Sequence, residues 1–329
     1  MAFRVIPIET ARAGTWRAGF GKDARNGGGP AGVFPESAHY LPSLPDALSR
    51  LAHIADDPRV GSVAFLETLR GDAVLGQGTL DAVNRTFFSP VRPAGNLAEA
   101  VREIGLRSGW ATAFLVGVGM RILPHGSPVK GWDRAGFWRH SVATAIAAEQ
   151  LAREVGAALP QTAFVGGLLH DVGWMVLDRF DGPALARVAA ALEAGEALPD
   201  AERRVLDASH ADVGGNAARV WGLPRIVGEV IEAHHRGLDR NDDAAEVAAL
   251  VRVADAMTSD PDGALWNSDL QFGVGATLEA WGIERRALER SQRQTVARME
   301  ELDELLNLDA GALIPTLAAL EENEDGEVV

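Results

Sequence analysis

The sequence predicts an all-α protein, and three observations predict it. Apolar residues recur at the three-and-four spacing of buried helical faces along most of the chain. Ala and Leu far outnumber runs of β-branched and aromatic residues. Stretches that alternate apolar and polar between turn residues are scarce.

Residues 1–38 are rich in Gly, Ala, Arg and Pro, contain Gly27-Gly28-Gly29-Pro30 and hold no period, so a flexible tail is expected there. The glycine run lacks the strand before it and the Lys-Ser/Thr after it that a phosphate-cradling loop needs. From Leu44 the apolar residues Leu44, Leu48, Leu51 and Ile54 mark a first helical face, ended by Asp56-Asp57-Pro58. Further helices are expected at about 63–70, 73–84, 97–107 and 110–122. A loop follows over 123–136, with Pro124, Gly126, Pro128, Gly131 and Gly136. Helices then resume at about 137–154, 161–179, 183–194, 199–208, 211–221, 225–236 and 244–258. Turn and glycine-rich sequence fills 259–275. Helices near 283–305 and 311–321 precede an acidic end. The domain reading is a tail (1–38), an N-terminal helical lobe (39–133), a helical core (134–260), a C-terminal helical extension (261–320) and an acidic tail (321–329).

Composition narrows the function. The chain has 329 residues, 46 acidic against 31 basic side chains, a formal net charge of -15 and no cysteine. So acidic a surface repels a phosphate backbone at long range, which argues against DNA as a partner. Without thiols there can be no disulfide framework, thiolate metal site or cysteine nucleophile. No apolar run is long enough to span a membrane and no secretory signal is visible, so a cytoplasmic protein is expected. Any metal must be held by His, Asp or Glu.

Those residue types cluster. Of eight histidines, five lie between 140 and 235: His140, His170, His210, His234 and His235. His140, Ala143, Ala147 and Leu151 share one helical face, and Val247, Val251 and Asp255 stand four apart on another. A carboxylate on an apolar face is costly unless it is paired or binds a cation. The adjacent His170-Asp171 offers two kinds of donor about 100° apart on one helix turn. A bundle aiming these groups inward would form two metal sites: His140, His170, Asp171 and Asp255 for one ion, and Asp171, His210, His234 and His235 for the other. Asp171 would bridge them and is the candidate catalytic residue. Two divalent ions about 3.5–4 Å apart lower the pKa of a shared water and clamp a phosphoryl oxygen during in-line attack. Imidazole and carboxylate donors without sulfur suit Fe or Mn, with Zn or Ni as alternatives. His39, His53 and His125 lack this context and are read as structural or surface residues.

The segments Phe137-Trp138-Arg139-His140, Gly166-Gly167-Leu168-Leu169-His170-Asp171-Val172-Gly173, Ser209-His210, Trp221-Gly222-Leu223-Pro224, Glu232-Ala233-His234-His235 and Val253-Ala254-Asp255 resemble, in order and spacing, the HDOD family of bacterial signalling output domains. Leu41-Pro42-Ser43-Leu44-Pro45, Asn84-Arg85-Thr86-Phe87-Phe88 and Ala100–Gly105 are similar to the family's upstream segments, so the resemblance covers about 40–260. It implies an N-terminal helical lobe packed on an HD-type helical core, and a regulatory role coupled to two-component or cyclic-dinucleotide signalling. The partner would then be a signalling protein or a nucleotide. The His and Asp set is also similar to that of the HD-GYP phosphodiesterases, which implies a phosphoester substrate as the alternative. Three positions depart from those enzymes. Trp174 stands where they carry a Lys, no Gly-Tyr-Pro follows His235, and Gly136 stands where a third metal would need a Glu.

Overall fold

Capping residues and glycines decide where each helix begins and ends. The structure, a computed structural model, describes residues 44, 46–57, 59–86, 92–121, 133–237, 242–259 and 274–306, all within one compact unit, Pro42–Val329. Among the described residues there are fifteen helices and no strand, which is the expected all-α class.

Five helices make an N-terminal lobe: α1 (Asp46–His53), α2 (Ser62–Arg70), α3 (Ala73–Thr86), α4 (Leu97–Ile104) and α5 (Leu106–Arg121). Leu48, Leu51, Phe65, Leu69 and Phe114 bury their side chains in it. The Asn96 side chain caps α4 by accepting from the Glu99 backbone N–H. Gly105, at φ 83°, turns the chain into α5. The sequence spacing places that break at 108–109, three residues later. Asn84 of α3 fastens the approach to α4, because its side chain exchanges two hydrogen bonds with the Ala94 backbone at 2.8 and 3.1 Å.

The core is built from α6 (Arg134–Val155), α7 (Pro160–Leu169), α8 (Val172–Phe180), α9 (Gly182–Glu193), α10 (Leu198–Leu206), α11 (His210–Val220), α12 (Arg225–Ala233) and α13 (Asp243–Thr258). α6 runs through its centre, against α7 on one side and α13 on another. Small residues permit this: Ala143, Ala145, Ala147, Ala148 and Ala152 of α6 are fully buried, and a Cβ on Gly167 would meet Thr144 O at 2.8 Å. Contacts between lobe and core are specific. Asp56 caps α7 across the chain, accepting from Gln161 N at 2.9 Å, Thr162 N at 2.7 Å and Thr162 Oγ1 at 2.6 Å. Ser49 Oγ donates to Gly222 O at 2.7 Å, and the Trp110 ring meets that of Phe164 edge-on.

Two helices follow, α14 (Val274–Trp281) against α13, and α15 (Arg285–Leu306) against α6 and α3. One face of α15, with Ala287, Ser291, Thr295, Met299 and Leu302, is buried; the opposite face carries its charge. The sequence reading has no counterpart for α14, whose eight residues bury no side chain fully and so give a weak apolar signal. The expected single helix over 161–179 is instead two, broken at His170-Asp171. The expected tail 1–38, helix 311–321 and acidic end 321–329 lie outside the described residues. No described helix is long and apolar enough to cross a membrane.

Candidate metal centre

Five parts of the core deliver the candidate ligands. His140 is on α6. His170 and Asp171 form the junction of α7 and α8. His210 opens α11. His234 and His235 lie in the turn that ends α12, and Asp255 is on α13. The structure brings all seven together. His140, His170 and Asp255 form one group whose donor atoms lie within 4.8 Å of one another; Asp171, His210, His234 and His235 form a second. Six of the seven are buried, and His235 is part-exposed.

Asp171 faces both groups. Its Oδ2 is 3.3 Å from His170 Nε2, while its Oδ1 is 3.1 Å from His210 Nε2 and 3.5 Å from His234 Nε2. In the first group Asp255 Oδ1 lies 3.1 Å from His140 Nε2 and 3.5 Å from His170 Nε2.

The other ring nitrogen fixes what each Nε2 offers. His170 Nδ1 donates to Gly167 O at 2.8 Å, His234 Nδ1 to Ile231 O at 2.7 Å and His140 Nδ1 to Thr258 O at 3.3 Å. A carbonyl oxygen only accepts, so in the neutral rings the proton sits on Nδ1 and Nε2 carries a lone pair. Yet His140 Nε2 and His170 Nε2 are 3.2 Å apart, and His210 Nε2 and His235 Nε2 are 3.0 Å apart. Inward-facing lone pairs beside two carboxylates require positive charge among them. Two buried atoms of the set, His234 Nε2 and Asp255 Oδ1, also have no hydrogen-bond partner. The donors present fit a metal ion.

In the metal-free chain protons supply that charge. Burial opposes charging of His170, but Asp171 and Asp255 outweigh it and hold its pKa well above the ordinary imidazole value. Burial likewise opposes charge on His210, and Glu202 with Asp171 pushes its pKa up to about 10. Asp171 and Asp255 are both held below the usual carboxylate range, burial being outweighed by the facing imidazoles. Burial keeps His234 and His235 on the neutral side, and at His235 the neighbouring imidazoles of His234 and His210 add to the effect against the opposing pull of Asp255 and Asp171.

Supporting residues explain several features of the sequence. A Cβ on Gly173 would fall 1.9 Å from His210 O, so only glycine lets the start of α8 meet the start of α11. Ser209 and Asp212 form a capping box that sets the first turn of α11, where His210 sits. Arg134 donates to Asp178 Oδ2 from Nε at 2.8 Å and from Nη2 at 2.6 Å, tying the first turn of α6 to α8. Trp174, fully buried, stacks on His210 with ring centroids 4.6 Å apart and planes 17° from parallel. Thr144 Oγ1 and Thr258 Oγ1 are hydrogen-bonded at 2.7 Å beneath His140. His53 is exposed, with its Nδ1 2.9 Å from Ser49 O in its own helix and apart from both groups; His39 and His125 lie outside the described residues.

Sequence reasoning missed Glu202. This buried carboxylate on α10 accepts from both His210 Nδ1 at 2.6 Å and His210 N at 2.8 Å. The signal was available, since Leu198, Ala201, Glu202 and Val205 share one helical face and so place an acid among apolar residues, as Asp255 is placed on α13.

Comparisons with known proteins agree with this architecture. A solved structure of an HDOD domain protein of unknown function from Geobacter sulfurreducens superposes with a TM-score of 0.64 at 26% identity, covering 86% of this chain and 93% of that one. A structure from Shewanella amazonensis, named provisionally as a phosphohydrolase, superposes with a TM-score of 0.61 and covers 84% of this chain and 96% of that one. At 21% identity that likeness concerns the fold alone. An uncharacterized protein of Treponema pallidum is 27% identical over 198 residues, which are 59% of this chain. The match spans only 37% of that relative's length. The HDOD domain family itself matches residues 41–237, a span that takes in the lobe, the His170-Asp171 junction and the His234-His235 pair. The chain belongs to the HDOD domain family.

Proposed function

We propose that this chain is a signal-transduction output module built around a dinuclear metal centre. His140, His170 and Asp255 hold one divalent ion, His210, His234 and His235 hold the other, and Asp171 reaches both. The observation that carries this reading is the position of Asp171, with one carboxylate oxygen toward each group of inward-facing Nε2 atoms. The donors, all imidazole and carboxylate, suit Fe or Mn and admit Zn or Ni. Bound ions would lower the pKa of a coordinated water and polarise a phosphoryl oxygen. The chain's own residues do the rest. The backbone carbonyls of Gly167, Thr258 and Ile231 hold three imidazoles with Nε2 inward. Trp174 and Glu202 fix the His210 ring from its face and its edge.

A regulatory role is favoured over turnover by Trp174. The position that carries a lysine in the phosphodiesterases this site resembles is fully buried here against His210, so it presents no cation to a phosphate. The module would act by binding a signalling partner protein or a nucleotide. One observation favours the second reading, a metal-dependent phosphohydrolase acting on a cyclic dinucleotide or another phosphoester. His235 is the part-exposed member of the set, so the second group opens toward solvent. Elemental analysis tests the shared premise: about two Fe, Mn, Zn or Ni per chain are expected, and none would remove both readings. Hydrolysis of cyclic di-GMP and of bis(p-nitrophenyl) phosphate then separates them. Equal inactivity of the unmodified protein and Asp171→Ala across Mn, Fe and Ni leaves the regulatory module. Activity in the unmodified protein alone establishes the enzyme.

A further inference from the structure

We infer that the two ion sites are built unequal, and that Glu202 is the positioning residue that makes the Asp171–His210–His234–His235 site the tighter of the two. The inference rests on the dinuclear reading above and assigns the ions an order of binding.

The asymmetry lies in what stands behind each imidazole. In the first group both rings are backed by neutral carbonyls, Gly167 O at 2.8 Å from His170 and Thr258 O at a long 3.3 Å from His140. In the second group His210 is backed by a full carboxylate at 2.6 Å, and His234 by Ile231 O at 2.7 Å. A carboxylate behind an imidazole raises the basicity of its outer nitrogen and fixes its orientation. With Asp171 shared, each group gathers four donors, so the difference lies in what stands behind the rings.

Glu202 is placed for this. It is 3% exposed, and the oxygen that accepts from the His210 ring also accepts the His210 backbone N–H. That N–H opens α11 and has no partner within the helix. One atom therefore satisfies a free helix donor, orients the ring and brings a negative charge to the far side of the ligand. Trp174 stacks on one face of the same ring, which leaves it little freedom to turn away.

Because a single oxygen takes both bonds, charge can be separated from geometry. Glu202→Gln retains an acceptor oxygen in the same place and loses only the charge, whereas Glu202→Ala loses both. The probe is Mn²⁺ alone, titrated calorimetrically into full-length chain stripped with chelator, with far-UV circular dichroism to confirm the helical fold. The unmodified chain is expected to bind two ions in two resolved steps. Glu202→Gln is expected to weaken the tighter step by about tenfold and Glu202→Ala by about 100-fold, with the weaker step changed less than about threefold. The assignment of that step is checked with Asp255→Asn, which should remove the weaker one. Two equal steps in the unmodified chain, or a Glu202→Gln titration that overlays it, overturn the inference while leaving the dinuclear reading intact. Absence of Mn²⁺ binding to the unmodified chain, with no Fe, Zn or Ni binding either, defeats the dinuclear reading itself.

Discussion

Asp171 and Asp255 are both buried carboxylates facing imidazoles, yet neutralising them should have different consequences. Asp255 Oδ1 contacts only the first group, 3.1 Å from His140 Nε2 and 3.5 Å from His170 Nε2. Asp171 contacts the first through Oδ2 and the second through Oδ1. An Asn at 171 has one oxygen and one NH2, so either orientation aims an N–H at an imidazole lone pair in one group and leaves the other with an uncharged oxygen. An ion bound only to the native state, at a hundred times its dissociation constant, stabilises by about 2.7 kcal/mol. On the dinuclear reading two such ions, at roughly 1.5 °C per kcal/mol for a chain of 329 residues, raise the thermal midpoint of the unmodified protein by about 8 °C. Asp255→Asn keeps the second site and about half of that rise, some 4 °C. Asp171→Asn keeps little or none. The assay is scanning calorimetry of each variant with Mn²⁺ and with chelator. Each variant is compared with itself, because removing a buried charge also alters the metal-free baseline. Equal metal-induced rises in Asp171→Asn and Asp255→Asn would refute the bridging role.

Three further outcomes are expected. The metal-free chain should lose thermal stability as pH rises from 6.5 toward 10. The pKa of His210 climbs from 6.5 in the unfolded chain to about 10 in the folded one, so its proton stabilises fully below 6.5 and is lost through 10. His170 shifts in the same direction, and saturating Mn²⁺ should flatten this limb by displacing the protons; a flat metal-free profile over that range contradicts the charge balance argued for the site. Gly173→Ala should cost on the order of 4 kcal/mol in urea unfolding, because its Cβ would stand 1.9 Å from the His210 carbonyl oxygen; a cost below about 1 kcal/mol would mean that α8 and α11 need not approach so closely. Trp174→Lys should destabilise by on the order of 3–5 kcal/mol without gaining phosphodiesterase activity, since it buries an ammonium against His210. Trp174→Phe should keep its metal, and a folded, active Trp174→Lys would show that this position can reach a substrate.

Much of the site was legible because burying a polar side chain on an apolar helical face has few physical justifications. Asp255 behind Val247 and Val251, and His140 in line with Ala143 and Ala147, advertise themselves by their surroundings. The same criterion reaches Glu202 beside Leu198 and Ala201, but only when it is extended from histidines and their neighbours to every acid on such a face. What the pattern could not carry is support from the backbone. The carbonyls of Gly167, Ile231 and Thr258 orient three of the five imidazoles, and carbonyls leave no trace in side-chain periodicity. α14 escaped for a different reason, since it fully buries none of its side chains and so carries no clear apolar stripe.

The break at His170-Asp171 is the most consequential departure from the periodic reading. Apolar spacing continues through it, so a single helix over 161–179 is the natural expectation. Within a continuous helix, however, adjacent side chains diverge by about 100° and every interior N–H is already taken. Here α7 ends at Leu169 and α8 begins at Val172, with Asp171 as the residue before its first turn, at φ -99° and ψ 10°. That places the carboxylate beside a helix N-terminus, whose dipole favours negative charge, while its oxygens turn to the imidazoles and cap none of the helix N–H groups. It also brings the start of α8 against the start of α11, the approach that requires Gly173. The His170-Asp171-Val172-Gly173 sequence can therefore be read as one device. The histidine closes α7 toward the first group, the aspartate turns between the two groups, and the glycine clears space for the helix that delivers His210. Two groups of donors that share one carboxylate follow from breaking the helix at this point.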